Sequence, residues 1–429
     1  MLQSGADSCG TWGATMQKIT AAVFAVALAL AAGAEDEPKV PADVAAAVEA
    51  YLRAPARKDL DALGKVCALV KDDVKLAAAA VRNMKPLTEG QAGTKHGLKF
   101  TSDRVEWEYS IHLPKAYDGK KRFPVLVLPD HGAIPPEDAI AFWRDKKGAE
   151  ELILFRPVIV KHRDDPKLFP NTQFLTRDQW VAAVMRSALT HLRLNYAVDD
   201  DRLVMTGLSQ AGFYSWYYAA SFPDDFAGIV PESAGGPAVR MLVQPLASNL
   251  AGLRIRILHS EGDSICPYAD ATAMKGAIDA AGGAAELITY HDADYPGGKP
   301  FENRHPGPHM LRMTNVLSWL PETRRAPAAE ITRLLKYSQQ GREGRWRVQP
   351  PKDVSAPATA KLSDKDGVLV FSGVEFPIYL ASPEDVAAGR EFSFGNRKFK
   401  MKPDVRLLFE DFKALGDRGR LAAGEIDLR

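Results

Sequence analysis

Two hydrophobic periods divide the chain. From residue 35 to 95, apolar residues return at three- and four-residue steps through VPADVAAAVEAYL, KDLDALGKVCALV and DDVKLAAAAVRNM. That spacing predicts two or three amphipathic helices, and Pro41 suits the first turn of one. From about residue 97 the pattern changes. WEYSIHLP alternates like a half-buried strand, and FPVLVLPDHG is a continuous apolar run ending in polar residues. LILFRPVIVKH, DRLVMTG, FAGIVPES, LRIRILHSEGD and AELITYHDADY repeat that form, with helix-like TRDQWVAAVMRSALTHLRL and YADATAMKGAIDAAG between them. Apolar strands alternating with helices predict an α/β unit with a mostly parallel sheet, covered on both faces. It closes after the helix expected in MLRMTNVLSWL.

Beyond that unit the character shifts again. PAAEITRLLKYSQQ reads as a helical linker over residues 326–342. GRWRVQPP, GVLVFSG, FPIYLAS, REFSFGNRKFKMK and GRLAAGEIDL are short strand candidates separated by turn residues, so residues 343–429 read as a small β-rich module. The expected order is a helical appendage (35–95), a catalytic α/β domain (96–325), the linker and the module.

Residues 1–34 stand outside this plan. Met16-Gln17-Lys18, the apolar run ITAAVFAVALALAAGA and the acidic EDEP form a secretory signal pattern, with cleavage expected after Ala34 and Met16 as the expected start. The implied location is secreted or periplasmic, with no stable membrane insertion after cleavage. The 429 residues are 46% apolar and 25% charged with a formal net charge of +1, which gives no electrostatic reason to expect nucleic acid as a partner. Cys67 and Cys266 alone do not define a disulfide, and no Cys/His spacing suggests a zinc site.

Candidate chemistry centres on VMTGLSQAGF, which sets Ser209 between Gly207 and Ala211, after a strand and before a helix. A nucleophilic serine on such a turn needs small neighbours, because the backbone there is strained. It also needs a base, and the base needs a carboxylate. Asp263 lies just past the strand RIRIL, where sheets of this kind gather functional residues. Glu261 is its rival, expected to point to solvent. His309, directly before the terminal helix, is the expected base, with His305 and His291 as rivals. The oxyanion donors are the N–H groups of Gln210, after the nucleophile, and Ala133, in the loop that follows VLVLPDHG.

YSIHLPKAYDGKKRFPVLVLPDHGA, VDDDRLVMTGLSQAGFYSWYYAASFPDDFAGIVPESAGG and HSEGDSICP together resemble serine esterases related to polyhydroxybutyrate depolymerases and feruloyl esterases, a branch of the α/β-hydrolases. The resemblance spans roughly residues 105–322. It implies ester cleavage by a Ser-His-Asp enzyme without cofactor or metal, acting on a small-molecule or polysaccharide-linked ester. Two departures from the family pattern are Pro129-Asp130 ahead of His131-Gly132, and Ala211 in place of glycine.

Other features read as bland. Ser264 in GDSI imitates another nucleophile box but lacks its context. Glu302, His305 and His309 cannot take helical metal-ligand spacing across Pro306 and Pro308. Most of the aromatic cluster Phe213, Tyr214, Trp216, Tyr217 and Tyr218 is expected to pack against the sheet. Two other classes remain open on sequence alone: a prolyl-oligopeptidase-like peptidase, and a non-catalytic binding protein on the same fold.

Overall fold

The computed structural model describes residues 37–55, 58–102, 105–129, 134–158, 174–300, 302–305, 316–326, 332–336, 341–343, 345–349 and 359–428. Three helices open it: α1 (Ala42–Arg53), α2 (Asp59–Val70) and α3 (Val74–Arg82). Asp73 caps α3 by accepting the Leu76 N–H at 2.9 Å.

The chain then builds an eight-stranded sheet from β1 (Gly93–Ser102), β2 (Val105–Leu113), β3 (Phe123–Val127), β4 (Ile153–Val158), β5 (Val198–Leu208), β6 (Gly228–Glu232), β7 (Arg254–Ser260) and β8 (Ala285–Tyr290). Their order is β1-β2-β4-β3-β5-β6-β7-β8. Only the β1–β2 and β2–β4 pairs are antiparallel; the others run parallel. The continuous apolar runs follow from this arrangement, because both faces are covered. Val125, Val127, Leu203, Met205, Ile229, Ile255 and Ile257 enter one core, while Leu126, Val204, Val230 and Leu258 enter the other. Helices α4 (Pro136–Arg144), α5 (Phe174–Asn195), α6 (Gln210–Ser221) and α7 (Tyr268–Ala280) connect the strands. On α6, Tyr214, Trp216, Tyr217 and Tyr218 are buried in the first core, so the aromatic cluster packs as expected, with Phe213 partly covered. Strand β1 was not anticipated. Its sequence, GTKHGLKFTS, is polar, and its register against β2 shifts between Lys95 and Leu98.

The C-terminal region adds strands β9 (Thr332–Lys336), β10 (Gly341–Glu343), β11 (Trp346–Gln349), β12 (Thr359–Lys365), β13 (Val368–Ser372), β14 (Glu375–Ala381), β15 (Glu391–Phe394), β16 (Arg397–Lys400) and β17 (Gly424–Asp427). They form a four-stranded sheet, in the order β10-β11-β14-β17, and a five-stranded one, in the order β16-β15-β13-β12-β9. The helical linker expected over 326–342 is corrected here: Thr332–Lys336 is strand β9 and Gly341–Glu343 is β10. Residues of TRLLK tolerate a helix, but pairing with β12 (Thr359–Lys365) outweighs that weak local preference. The module also contains a short helix, α8 (Pro383–Ala387), and the amphipathic α9 (Val405–Leu415), which is capped by Asp404 at one end and by left-handed Gly416 at the other.

The two ends of the chain share one core. Val48, Tyr51, Val66, Ala77 and Val81 of the N-terminal helices pack with Trp346, Leu362, Tyr379, Leu408, Phe409 and Phe412. The Tyr51 and Phe409 rings meet edge to face at 6.4 Å. What reads in sequence as an appendage and a separate module is therefore a single packing unit made of two segments.

That unit docks on buried charge. Arg325 Nη1 lies 2.5 Å from Asp417 Oδ2, Arg193 Nη2 lies 3.7 Å from the same oxygen, and Arg418 Nη1 lies 3.4 Å from Asp200 Oδ2. Asp200 sits near the amino end of β5, whereas Ser209 follows its carboxyl end. Nine residues of extended chain separate them by roughly 30 Å. The composite unit thus anchors at the sheet edge opposite the candidate chemistry. No helix among the described residues is long and apolar enough to cross a membrane.

Candidate active site

Ser209 stands at the turn between β5 and α6 with φ 57° and ψ −117°. This is a left-handed conformation that few residues other than glycine adopt, and it marks stored strain. The surroundings hold it in place: the Ser209 N–H donates to the Glu232 carbonyl at 2.8 Å, and the Ser209 carbonyl accepts the Phe213 N–H at 2.8 Å. The packing around the turn explains the small residues. A β-carbon on Gly207 would approach the Ala211 methyl to 2.5 Å, and one on Gly212 would lie 2.7 Å from the Gly207 carbonyl oxygen. The departure at Ala211 is thus accommodated: its methyl fills space that Gly207 leaves open, and Gly212 supplies the other close approach. Gln210 is the first residue of α6, so its N–H lies in the first turn, where no intrahelical acceptor exists. Ala133 and His131 lie outside the described residues. Just beyond them, the buried Arg156 donates to the Ile134 carbonyl at 2.6 Å.

Asp263 follows β7 by three residues, at the same carboxyl edge, and its side chain is fully buried. Its Oδ1 accepts the Ile265 N–H at 2.9 Å and the Cys266 N–H at 2.8 Å. Its Oδ2 lies 2.9 Å from Nδ1 of His305. Burial works against the Asp263 charge, but the His305 hydrogen bond and the two backbone N–H groups outweigh it and hold its pKa below the usual carboxylate range. An anion facing Nδ1 fixes the proton on that nitrogen, which leaves Nε2 of His305 as a proton acceptor.

The imidazole that the structure pairs with Asp263 is therefore His305. His309, the base expected from sequence, lies outside the described residues. The remaining rivals pair with each other: His291 Nδ1 lies 2.8 Å from Glu261 Oε2, and both side chains are more than half exposed. Ser264 is exposed, and its N–H serves the loop by donating to the Asn303 carbonyl at 3.1 Å. Cys67 and Cys266 are free thiols, and burial pushes the thiol pKa of each upward.

Sequence reasoning passed over His259. It is fully buried on β7, its Nε2 lies 2.8 Å from the Cys266 carbonyl oxygen, and the same nitrogen lies 3.6 Å from Asp263 Oδ2. Burial drives its pKa down despite the Cys266 hydrogen bond and Asp263. A neutral Nε2–H tautomer thus braces the Asp263 loop from below. Its position four residues before Asp263, on a buried strand, is the only trace of this role in the sequence. Glu232, also unanticipated, is buried at the end of β6, where its Oε1 accepts from Thr206 Oγ1 at 3.2 Å.

A strained serine and a carboxylate-held imidazole now stand at one edge of a parallel sheet. Residues 103–302 match the family model described as "Putative esterase". This segment is similar to that esterase family. Within the matched segment lie Ser209 and Asp263, while His305 falls three residues past its end. A further match is poly(3-hydroxyalkanoate) depolymerase C of Paucimonas lemoignei, 38% identical over 63 residues, or 15% of each chain. Among solved structures, a thermostable esterase aligns at 18% identity over 53% of this chain and 62% of its own, with a TM-score of 0.42. Est1E from Butyrivibrio proteoclasticus aligns at 14% identity over 53% and 97%, with a TM-score of 0.39. The chain thus spans less than two thirds of the depolymerase and of the thermostable esterase.

Proposed function

We propose that this chain hydrolyses carboxylic esters through an acyl-enzyme intermediate. Ser209 Oγ attacks the ester carbonyl, His305 Nε2 takes the serine proton, and the tetrahedral oxyanion rests on the N–H groups of Gln210 and Ala133. Collapse of the intermediate breaks the ester C–O bond, and His305 returns its proton to the departing alkoxide. Water then repeats the sequence on the acyl-enzyme and releases the acid. Asp263 keeps His305 in the Nδ1–H tautomer and stabilises the imidazolium as it forms.

The observation that carries this reading is the coincidence of two features at one edge. Leu208, which precedes the strained Ser209, is in register with Glu232, and Glu232 with Leu258, just ahead of the Asp263 loop. Strands β5 and β7 are therefore separated only by β6, roughly 10 Å apart, which suits a histidine bridging acid and nucleophile. The proposed substrate is a small-molecule or polysaccharide-linked ester, met outside the cytoplasm if residues 1–34 act as a secretory signal. A fluorophosphonate probe followed by peptide mapping tests the chemistry. The expected adduct lies on Ser209; an unlabelled protein, or a label confined to another serine, overturns the proposal.

A further inference from the structure

His305 owes its place to a clamp built around its neighbour. Arg304 is itself left-handed, with φ 53°, a strained conformation for an arginine. Three groups of contacts hold it there. Its guanidinium grips Asp292, just past β8, with Nε 2.6 Å from Oδ1 and Nη2 2.9 Å from Oδ2. Its stem crosses Gly262, the residue before Asp263, so closely that a β-carbon there would fall 2.4 Å from Arg304 Cδ. Its carbonyl accepts from the Tyr295 hydroxyl at 3.3 Å, and that hydroxyl lies 3.0 Å from Ser260 Oγ at the end of β7.

Asn303 completes the arrangement from the other side. Its carbonyl accepts the Ser264 N–H at 3.1 Å, and its Oδ1 accepts the His305 N–H at 3.1 Å. The tripeptide Asn303-Arg304-His305 is thereby tied to the residues on both sides of Asp263. A loop with no regular secondary structure gains a fixed relation to the strand that carries the acid. The bidentate fork is the part of this arrangement that a lysine could not reproduce.

We infer that Arg304 is a positioning residue for His305, acting through its fork on Asp292 and its left-handed backbone to hold the imidazole against Asp263. The inference rests on the reading of His305 as the base. Alanine meets the same backbone cost as arginine at this φ, so Arg304→Ala isolates loss of the guanidinium.

The experiment compares Arg304→Ala, Arg304→Lys, Asp292→Ala and the Arg304→Ala/Asp292→Ala double variant with His305→Ala, using a short-chain nitrophenyl ester. A base displaced by about 1 Å costs on the order of 100-fold in rate. Arg304→Ala and Asp292→Ala should therefore each lower kcat about 10- to 100-fold with KM nearly unchanged. The double variant should be no worse than either single one. Arg304→Lys should recover little, whereas added guanidinium ion should partly restore Arg304→Ala and leave His305→Ala inactive. Because the pair is partly exposed, Tm should move by no more than about 2–4 °C. Wild-type kcat in Arg304→Ala and Asp292→Ala beside an inactive His305→Ala overturns the clamp and leaves the base in place. An active His305→Ala removes the base assignment, and the clamp with it.

Discussion

A β-carbon on Gly207 would sit 2.5 Å from the methyl of Ala211. The two positions share one small space beside Ser209, so a methyl can be carried at one of them only. Gly207→Ala should therefore distort the Ser209 turn, cost about 1–3 kcal/mol of stability through overpacking and lower ester turnover steeply. Ala211→Gly should fold normally and keep most of its activity. Thermal melts and kcat measured on both variants check this, and equal tolerance at the two sites would contradict it.

The charge on Asp263 underlies the orientation of His305. Asp263→Asn keeps the shape but can no longer hold Nδ1–H against an anion. Turnover should fall by about 10³–10⁴-fold, in line with the loss seen when a triad carboxylate becomes an amide. The Glu261→Gln control removes only an exposed carboxylate that pairs with His291. Its kcat should stay near wild type, and a comparable loss there would reverse the acid assignment.

Asp417 joins the composite terminal unit to the α/β domain. Burial disfavours its charge, but Arg325 and Arg193 outweigh that and pull its pKa far below the usual aspartate range. Because the folded-state value lies below the unfolded one, its stabilisation is complete above the ordinary aspartate pKa of about 3.9 and is lost as pH falls through the folded value. Asp417→Ala leaves buried Arg325 and Arg193 short of a partner and should destabilise the fold by about 3–5 kcal/mol at neutral pH. Urea unfolding at pH 7 measures this directly. A change within about 0.5 kcal/mol, typical of a surface position, would show that the interface does not depend on it.

The shared core makes another demand. Phe409→Ala removes a fully buried ring that meets Tyr51, at an expected cost of about 3–5 kcal/mol. The loss should appear at the far end of the chain, as faster hydrogen exchange over residues 42–82. Exchange quickened only within residues 359–428 would mean that the two segments are stable independently.

Much of the catalytic fold is legible in the sequence because its strands are buried on both faces. Runs such as VLVL and LILF can serve little else, and the turn at Ser209 announces itself through its small neighbours. The composite unit is less legible. TRLLK has no strong preference of its own and becomes a strand through partners that arrive later in the chain. The amphipathic VRLLFEDFKAL forms α9 amid strand candidates, and its apolar face meets helices more than 300 residues earlier in sequence. Within the proposed site, Ser209 and Asp263 are suggested by motif and chain order, but order cannot separate His305 from His309, four residues apart. That choice depends on a left-handed arginine and a fork to Asp292, neither of which leaves a sequence signature.

The most direct test compares His305→Ala with His309→Ala, both confirmed as folded by circular dichroism, in turnover of a short-chain nitrophenyl ester. The expected result is a loss of several orders of magnitude in kcat for His305→Ala and near-wild-type turnover for His309→Ala. An active His305→Ala beside an inactive His309→Ala would contradict the triad drawn here.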